Sequence, residues 1–150
     1  MDNTDGRHAP LKAQRAETQL FQRALFYVRF VLGSFVFAFA GLAWMARTQR
    51  NAQVHLLITT IVIVAGVFFR VSVGEWLALI LAIALVLALE AMNTAVEAVV
   101  DLASPQLHPL AKRAKDAAAG SVLIGAVGAA VVGCVVFVPR FWALLGMLFA

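Results

Sequence analysis

The chain has 150 residues, 63% of them hydrophobic and only 13% charged. That balance excludes disorder, does not fit an ordinary soluble domain, and allows one small membrane-embedded domain. The formal charge is +4, from 12 Lys and Arg against 8 acids. In so apolar a chain a basic excess fits anionic lipid headgroups or phosphates rather than nucleic acid, and no nucleic-acid-binding motif is present. Cys134 is the only cysteine, so no intrachain disulfide can form.

Taken in chain order, residues 1–19 are polar, lack the apolar core and cleavage site of a secretory signal, and predict a flexible tail. Residues 20–150 then predict one integral-membrane domain. A strongly apolar helix is expected over about 20–48, interrupted by Arg23 and Arg29 and loosened by Gly33 and Gly41. After a polar patch from Arg47 to Gln53, three spans are expected at about 54–70, 76–100 and 117–138. Arg70 to Glu75, with Gly74, predicts a short turn in which the two charges confer solubility. Asp101 to Asp116 predicts a polar loop, because Pro105 and Pro109 discourage helix. Pro139-Arg140 is expected to close the last span, leaving an apolar tail too short to cross a bilayer. Trp76 and Trp142 suit the headgroup belt.

Phe30 to Ala46 has no charge and would pass as a fourth span on hydropathy alone. Charge placement favours three. With three spans, the N-terminal region through Arg50 shares a side with the Asp101–Asp116 loop; ten Lys/Arg then face one side and only Arg70 and Arg140 the other. With four spans the split is seven to five. The sharper asymmetry places residues 20–48 along the cytoplasmic surface as an interfacial amphipathic helix.

The densest chemical signal is Glu90-Ala-Met-Asn93-Thr94-Ala-Val-Glu97-Ala-Val-Val-Asp101, which continues the apolar run from Trp76 to Leu89. An ionisable side chain at lipid depth is costly and so is a functional candidate. Offsets of 7 and 11 from Glu90 bring Glu97 and Asp101 within about 20° of one helix face, with Asn93 beside them. With Trp76 at the outer belt, Glu90 lies about 21 Å along the helix and Glu97 about 31 Å, against a hydrocarbon core of about 30 Å. Glu90 is thus expected just under the cytoplasmic interface, the level of a lipid's headgroup hydroxyl.

The following loop reads His108-Pro-Leu-Ala-Lys112-Arg113-Ala-Lys115-Asp116-Ala-Ala-Ala-Gly120. Acids able to hold a divalent ion beside lysines able to hold phosphate suggest a metal–nucleotide site. Glu97 with a second oxygen donor could hold magnesium, Lys115 could neutralise a transferring phosphoryl group, and Glu90 could take a proton from a lipid hydroxyl. Lys112 and Arg113 read equally well as positive-inside anchors. No Walker-type phosphate loop is present, and Gly125, Gly128 and Gly133 suit helix packing.

These two stretches closely resemble the signature of the prokaryotic diacylglycerol kinase family, which includes undecaprenol kinases. Ser34-Phe-Val-Phe-Ala-Phe-Ala-Gly41 and Arg50-Asn51-Ala-Gln-Val-His55 resemble its surface-helix region. The resemblance implies an all-α homotrimer in the bacterial inner membrane, with a cytoplasmic N-terminus, three spans per protomer and sites between subunits. It implies ATP with Mg2+ as phosphate donor and a membrane lipid alcohol, undecaprenol or diacylglycerol, as acceptor. By position, Glu90 would be the catalytic base and Glu97 a metal and nucleotide ligand. Lys115 and Asp116 would contact ATP, with Gln106, Leu107 and His108 near the nucleotide. Asn93 and Asp101 would shape the site. Two positions depart from the pattern. Gln49 stands where the family has an acid that serves as a second metal and nucleotide ligand, and Phe37 replaces a tyrosine. The competing readings are a membrane assembly protein of the same fold with weakened or lost turnover, and a carrier using Glu90 as a proton relay. Three spans leave the carrier little room for paired halves around a midplane site.

Overall fold

The computed structural model describes residues 9–106 and 108–149. They form four helices: α1 Ala9–Thr48, α2 Arg50–Phe68, α3 Val73–Ala103 and α4 Pro109–Phe149. Each contains a stretch long and apolar enough to cross a membrane, the one in α1 being Leu25–Thr48. The architecture is therefore all-α and of membrane type.

The chain divides into two units, Met1–Ala43 and Trp44–Ala150. The described part of the first is one continuous helix. Ala9 to Gln19, expected as tail, are already helical; the remainder of that expected tail lies outside the described residues. Gly33 and Gly41 do not break the helix, since a glycine costs only about 1 kcal/mol there and good helix formers surround it. Phe26, Phe30, Phe35, Phe37 and Phe39 are all exposed, so the C-terminal half of the helix carries a broad bare apolar surface. Such a surface needs lipid or a partner.

In the second unit, the last turn of α1 passes into α2 through a single extended residue, Gln49. The Gln53 side chain donates to the Arg47 carbonyl at 3.1 Å, and the Thr48 hydroxyl to the Trp44 carbonyl at 2.8 Å. The Arg47 carbonyl, which α1 would leave open, is thus satisfied. The polar patch is not a linker; it supplies two helix ends.

The turn from α2 to α3 is built from backbone geometry that hydropathy does not encode. Arg70 adopts φ 50°. Its N–H donates to the Val67 carbonyl, and that of Val71 to the Gly66 carbonyl. This is the paired closure of a Schellman motif, with arginine in the place that glycine usually takes. Ser72 then caps α3: its hydroxyl accepts from the Glu75 N–H, and the Glu75 carboxylate accepts from the Ser72 N–H at 2.7 Å. This reciprocal pair is a capping box. Gly74 is therefore in the first turn of α3, and the helix begins before the expected 76.

α4 corrects the expected boundaries at both ends. Pro109 starts the helix instead of blocking it: a first-turn proline has no N–H to leave unsatisfied, and its φ is already helical. His108 caps it, with Nδ1 accepting from the Leu110 N–H at 3.2 Å. At the other end α4 continues through Pro139 to Phe149, so the expected stop at 138 and separate tail are not found. Proline removes one ladder bond there. Beside it, Arg140 donates Nη1 to the Val136 carbonyl and Nη2 to the Glu75 carboxylate at 2.8 Å. Glu75 is thus more than a solubilising turn residue. One of its oxygens closes the capping box and fastens α3 to α4.

α3 packs mainly on α4 and, over a smaller area, on α2. Val71, Leu79, Val136 and Phe137 form a buried cluster, flanked by Val62, Phe69 and Trp76. Phe69 stacks edge-on with Phe141, ring centroids 4.8 Å apart. Trp76 lies half-buried with its indole on the backbone of Gly66. A Cβ at Gly66 would meet Trp76 Cη2 at 2.7 Å, whereas one at Gly125 would meet only Leu89 Cδ1, at 2.6 Å. The indole is rigid; the leucine methyl can rotate away. Gly66→Ala is therefore expected to destabilise by about 1–3 kcal/mol, and Gly125→Ala by clearly less. Melting midpoints of the two variants in one detergent check this; equal losses would contradict it.

Candidate active site

The acidic stripe lies on α3 as the spacing predicts, and the structure grades it by depth. Glu90 is 1% exposed, Asn93 4% and Thr94 5%. Glu97 is half-buried and Asp101 exposed. The gradient follows from the sequence. Leu89 packs onto α4 at Gly125, where the absence of a side chain allows close approach. Two turns later α3 is near its end.

Within the stripe, Asn93 Nδ2 donates to Glu97 Oε1 at 3.2 Å, an i,i+4 contact that orients both side chains. The titratable groups near enough to act on Glu90 are His55 of α2 and Glu97. Among the described residues three buried side-chain oxygens find no hydrogen-bond partner: Glu90 Oε2, Asn93 Oδ1 and Thr94 Oγ1. Buried polar atoms are nearly always paired, because an unpaired one costs about 1–3 kcal/mol. Three orphans within five residues mark a place built to be filled.

Beyond the stripe, the ends of α3 and α4 enclose a cleft of about 200 Å³. Asp101, Ser104, Gln106, His108, Lys112 and Lys115 line it. Lys115 Nζ bonds Asp101 Oδ1 across the two helices, and Lys112 pairs with Asp116 one turn along α4. The His108 Nδ1 bond to Leu110 leaves Nε2 as the ring's remaining polar atom. The cleft thus joins two ammonium groups to a helix N-terminus, a setting that suits phosphate oxygens.

The structure therefore brings Glu90, Asn93 and Glu97 into one cluster, and Asp101, Gln106, His108 and Lys115 into an adjoining cleft. Asp116 stands beside Lys112 at its edge. Leu107 lies outside the described residues. Gln49 is in neither group: half-buried, it caps α2 with its backbone, and its side chain makes no capping bond. Among the described residues no three of His, Cys, Asp and Glu converge as ion ligands. That sparse donor set fits magnesium carried on a nucleotide, which typically takes one or two carboxylates and completes its shell with phosphate oxygens and water. Glu97, with one oxygen engaged by Asn93, is the carboxylate suited to it.

Sequence reasoning passed over two contributors. Thr94 stands one turn above Glu90, and its i,i+4 offset is the signal that could have found it. His55 approaches from another helix, which no local spacing reveals.

An acid buried within a membrane-type helix, with a lysine-lined cleft about three turns further along it, fits the class of membrane enzymes that handle a charged group at the lipid boundary. Comparison with known proteins narrows the class. Residues 36–137 match the family described as prokaryotic diacylglycerol kinase. The chain is 43% identical over 107 residues to an undecaprenol kinase of Bacillus subtilis, covering 71% of this chain and 87% of that protein. It is 40% identical over 116 residues to a diacylglycerol kinase of Synechocystis, covering 77% of this chain and 66% of that protein. It is 38% identical over 63 residues to the diacylglycerol kinase of Escherichia coli K12, covering 42% of this chain and 52% of that protein. The chain belongs to the prokaryotic diacylglycerol kinase family and is a lipid kinase.

Proposed function

We propose that the chain transfers the γ-phosphoryl group of ATP, with Mg2+, to a membrane lipid alcohol at the cytoplasmic face of the bacterial inner membrane. The acceptor is undecaprenol or diacylglycerol. The observation that carries this reading is the buried Glu90 with an unpartnered oxygen, on the same helix as a lysine-lined cleft about three turns further along.

In this reading Glu90 accepts the alcohol proton as the alcohol oxygen bonds to the γ-phosphorus. The bond from that phosphorus to the bridging oxygen breaks, and ADP leaves. Phosphoryl transfer needs positioning and charge stabilisation more than a strong base, so a carboxylate that takes its proton late suffices. Lys115, drawn from Asp101 toward phosphate, neutralises charge on the transferring group. Gln106, Leu107, His108 and Asp116 border the nucleotide, and Asn93 holds Glu97 in place. Glu97, and by position the Gln49 amide oxygen, would hold magnesium, which would supply charge neutralisation on the nucleotide when bound. An apolar cavity of about 210 Å³ among α2, α3 and α4, reaching His55 and Val86, suits hydrocarbon near Glu90.

Three spans fit this function better than four. With α1 lying on the cytoplasmic surface, the lysines of the cleft and most other basic residues share the side where ATP is found. The bare apolar surface of α1 and of the helix faces turned away from the core supports assembly as a homotrimer. The kinase domain then covers residues 20–150.

The test is transfer of label from γ-labelled ATP, with magnesium, to undecaprenol, diacylglycerol and ceramide in mixed micelles. Labelled undecaprenol or diacylglycerol is expected. No labelled lipid from folded protein would sink the proposal. It would favour the second reading, an assembly protein with weakened turnover, which Gln49 in place of an acid supports. In Gln49→Glu the magnesium concentration for half-maximal rate is expected to fall or stay unchanged. A rise would contradict the ligand role.

A further inference from the structure

Among the described helical hydroxyls, that of Thr94 is the buried one without a hydrogen-bond partner. Ser34, Thr48 and Thr60 are exposed, and each donates to the carbonyl four residues back, at 2.8–3.0 Å. That local bond is the default for a helical Ser or Thr. Thr94 is 5% exposed and so has most need of it, yet its Oγ1 has no partner. The side chain is held where the default bond is not made, in a site from which water is largely excluded.

Its surroundings define what is missing. One turn below is the unpartnered Glu90 Oε2, and next to it in sequence the unpartnered Asn93 Oδ1. A carboxylate oxygen and an amide oxygen only accept; a hydroxyl can donate as well. Hydrocarbon packing would leave all three unsatisfied. An alcohol satisfies the pair one turn apart: its O–H donates to Glu90 Oε2, and its oxygen accepts from Thr94 Oγ1. One lone pair of the alcohol oxygen then remains for attack.

From this we infer that Thr94 is a specificity-determining residue whose hydroxyl, one turn above Glu90, grips the hydroxyl of the acceptor lipid. The inference rests on the kinase reading for the identity of the ligand. It assigns Thr94 to ground-state capture and alignment of the alcohol, with no part in nucleotide binding. It also gives a reason for a hydroxyl-bearing residue here: an apolar one would bury as well but could not select an alcohol.

The test compares full-length wild type, Thr94→Val, which keeps the shape and loses the hydroxyl, and Thr94→Ser, which keeps the hydroxyl. Thr94→Val is expected to lower kcat/KM for the lipid alcohol by about tenfold to a hundredfold through a raised KM. KM for ATP should be unchanged and the melting midpoint equal or higher, because an unpaired buried hydroxyl has been removed. Thr94→Ser should retain most of the activity. A parallel series measures the rise in melting midpoint on adding undecaprenol or diacylglycerol without nucleotide: present in wild type and Thr94→Ser, lost in Thr94→Val. If wild type phosphorylates no lipid yet shows that pattern of melting shifts, the kinase reading fails and the Thr94 assignment stands. Unaltered alcohol kinetics in Thr94→Val, a melting shift that survives the valine, or no shift in wild type would each overturn it. So would a magnesium-induced shift lost only in Thr94→Val, which would make the three oxygens a cation site.

Discussion

Glu90→Gln is expected to lower phosphoryl transfer by about 10²–10⁴-fold, the range supplied by a positioned general base. The substitution is nearly isosteric, so it changes proton affinity and charge while leaving shape alone. Its effect on folding should be small or favourable. Glu90 is 1% exposed with an unpartnered oxygen, and a neutral amide avoids burying a charge. The diagnostic result is a lost rate in a protein whose melting midpoint is unchanged or raised. Initial rates at saturating ATP and lipid, with melting curves on the same preparations, decide the matter. Transfer at the wild-type rate would remove Glu90 as the base. A collapsed melting midpoint would make it a structural residue.

Lys115→Ala carries the second large effect, and magnitudes separate its structural and functional roles. The Lys115–Asp101 pair has side chains 37% and 66% exposed. Pairs so open to solvent contribute about 0–1 kcal/mol, so losing it should scarcely move the melting midpoint. Losing a charge aimed at a transferring phosphoryl group is expected to cost about 10²–10³-fold in rate. Lys115→Arg keeps the charge but changes its reach, and should fall between wild type and alanine. Asp101→Asn frees the ammonium and should leave most activity in place. Steady-state kinetics in ATP over these three variants would expose the alternative: if alanine at 115 kept the wild-type rate, the lysine would be only an interfacial anchor.

The sequence carries the stripe because both its ingredients are local. Fixed offsets set which residues share a face, and an apolar run reports depth, so Glu90, Asn93, Glu97 and Asp101 can be placed on one helix before any coordinates exist. The cleft was half legible: Gln106, His108 and Lys115 lie close in the chain, but the Lys115–Asp101 pairing depends on how the α3–α4 joint closes. Helix ends were less legible because proline has opposite meanings by position. Pro109 starts α4, and Pro139 is carried inside it. The fastening of Glu75 to Arg140 was hidden altogether, since the partners stand 65 residues apart and each reads alone as a surface charge. Thr94 was legible in spacing but passed over, because a threonine inside an apolar helix ordinarily signals nothing.

The same fastening bears on the order in which the bundle is made. Everything that shapes the bend between α2 and α3 lies between Gly66 and Trp76: the backbone closure at Arg70, the cap at Ser72 and the indole seated on a bare glycine. Contacts so near in the chain form quickly and early. Glu75 accepts its guanidinium only after Arg140, 65 residues further on, has left the ribosome. Synthesis therefore lets the turn between α2 and α3 close first and latches α4 onto it afterwards.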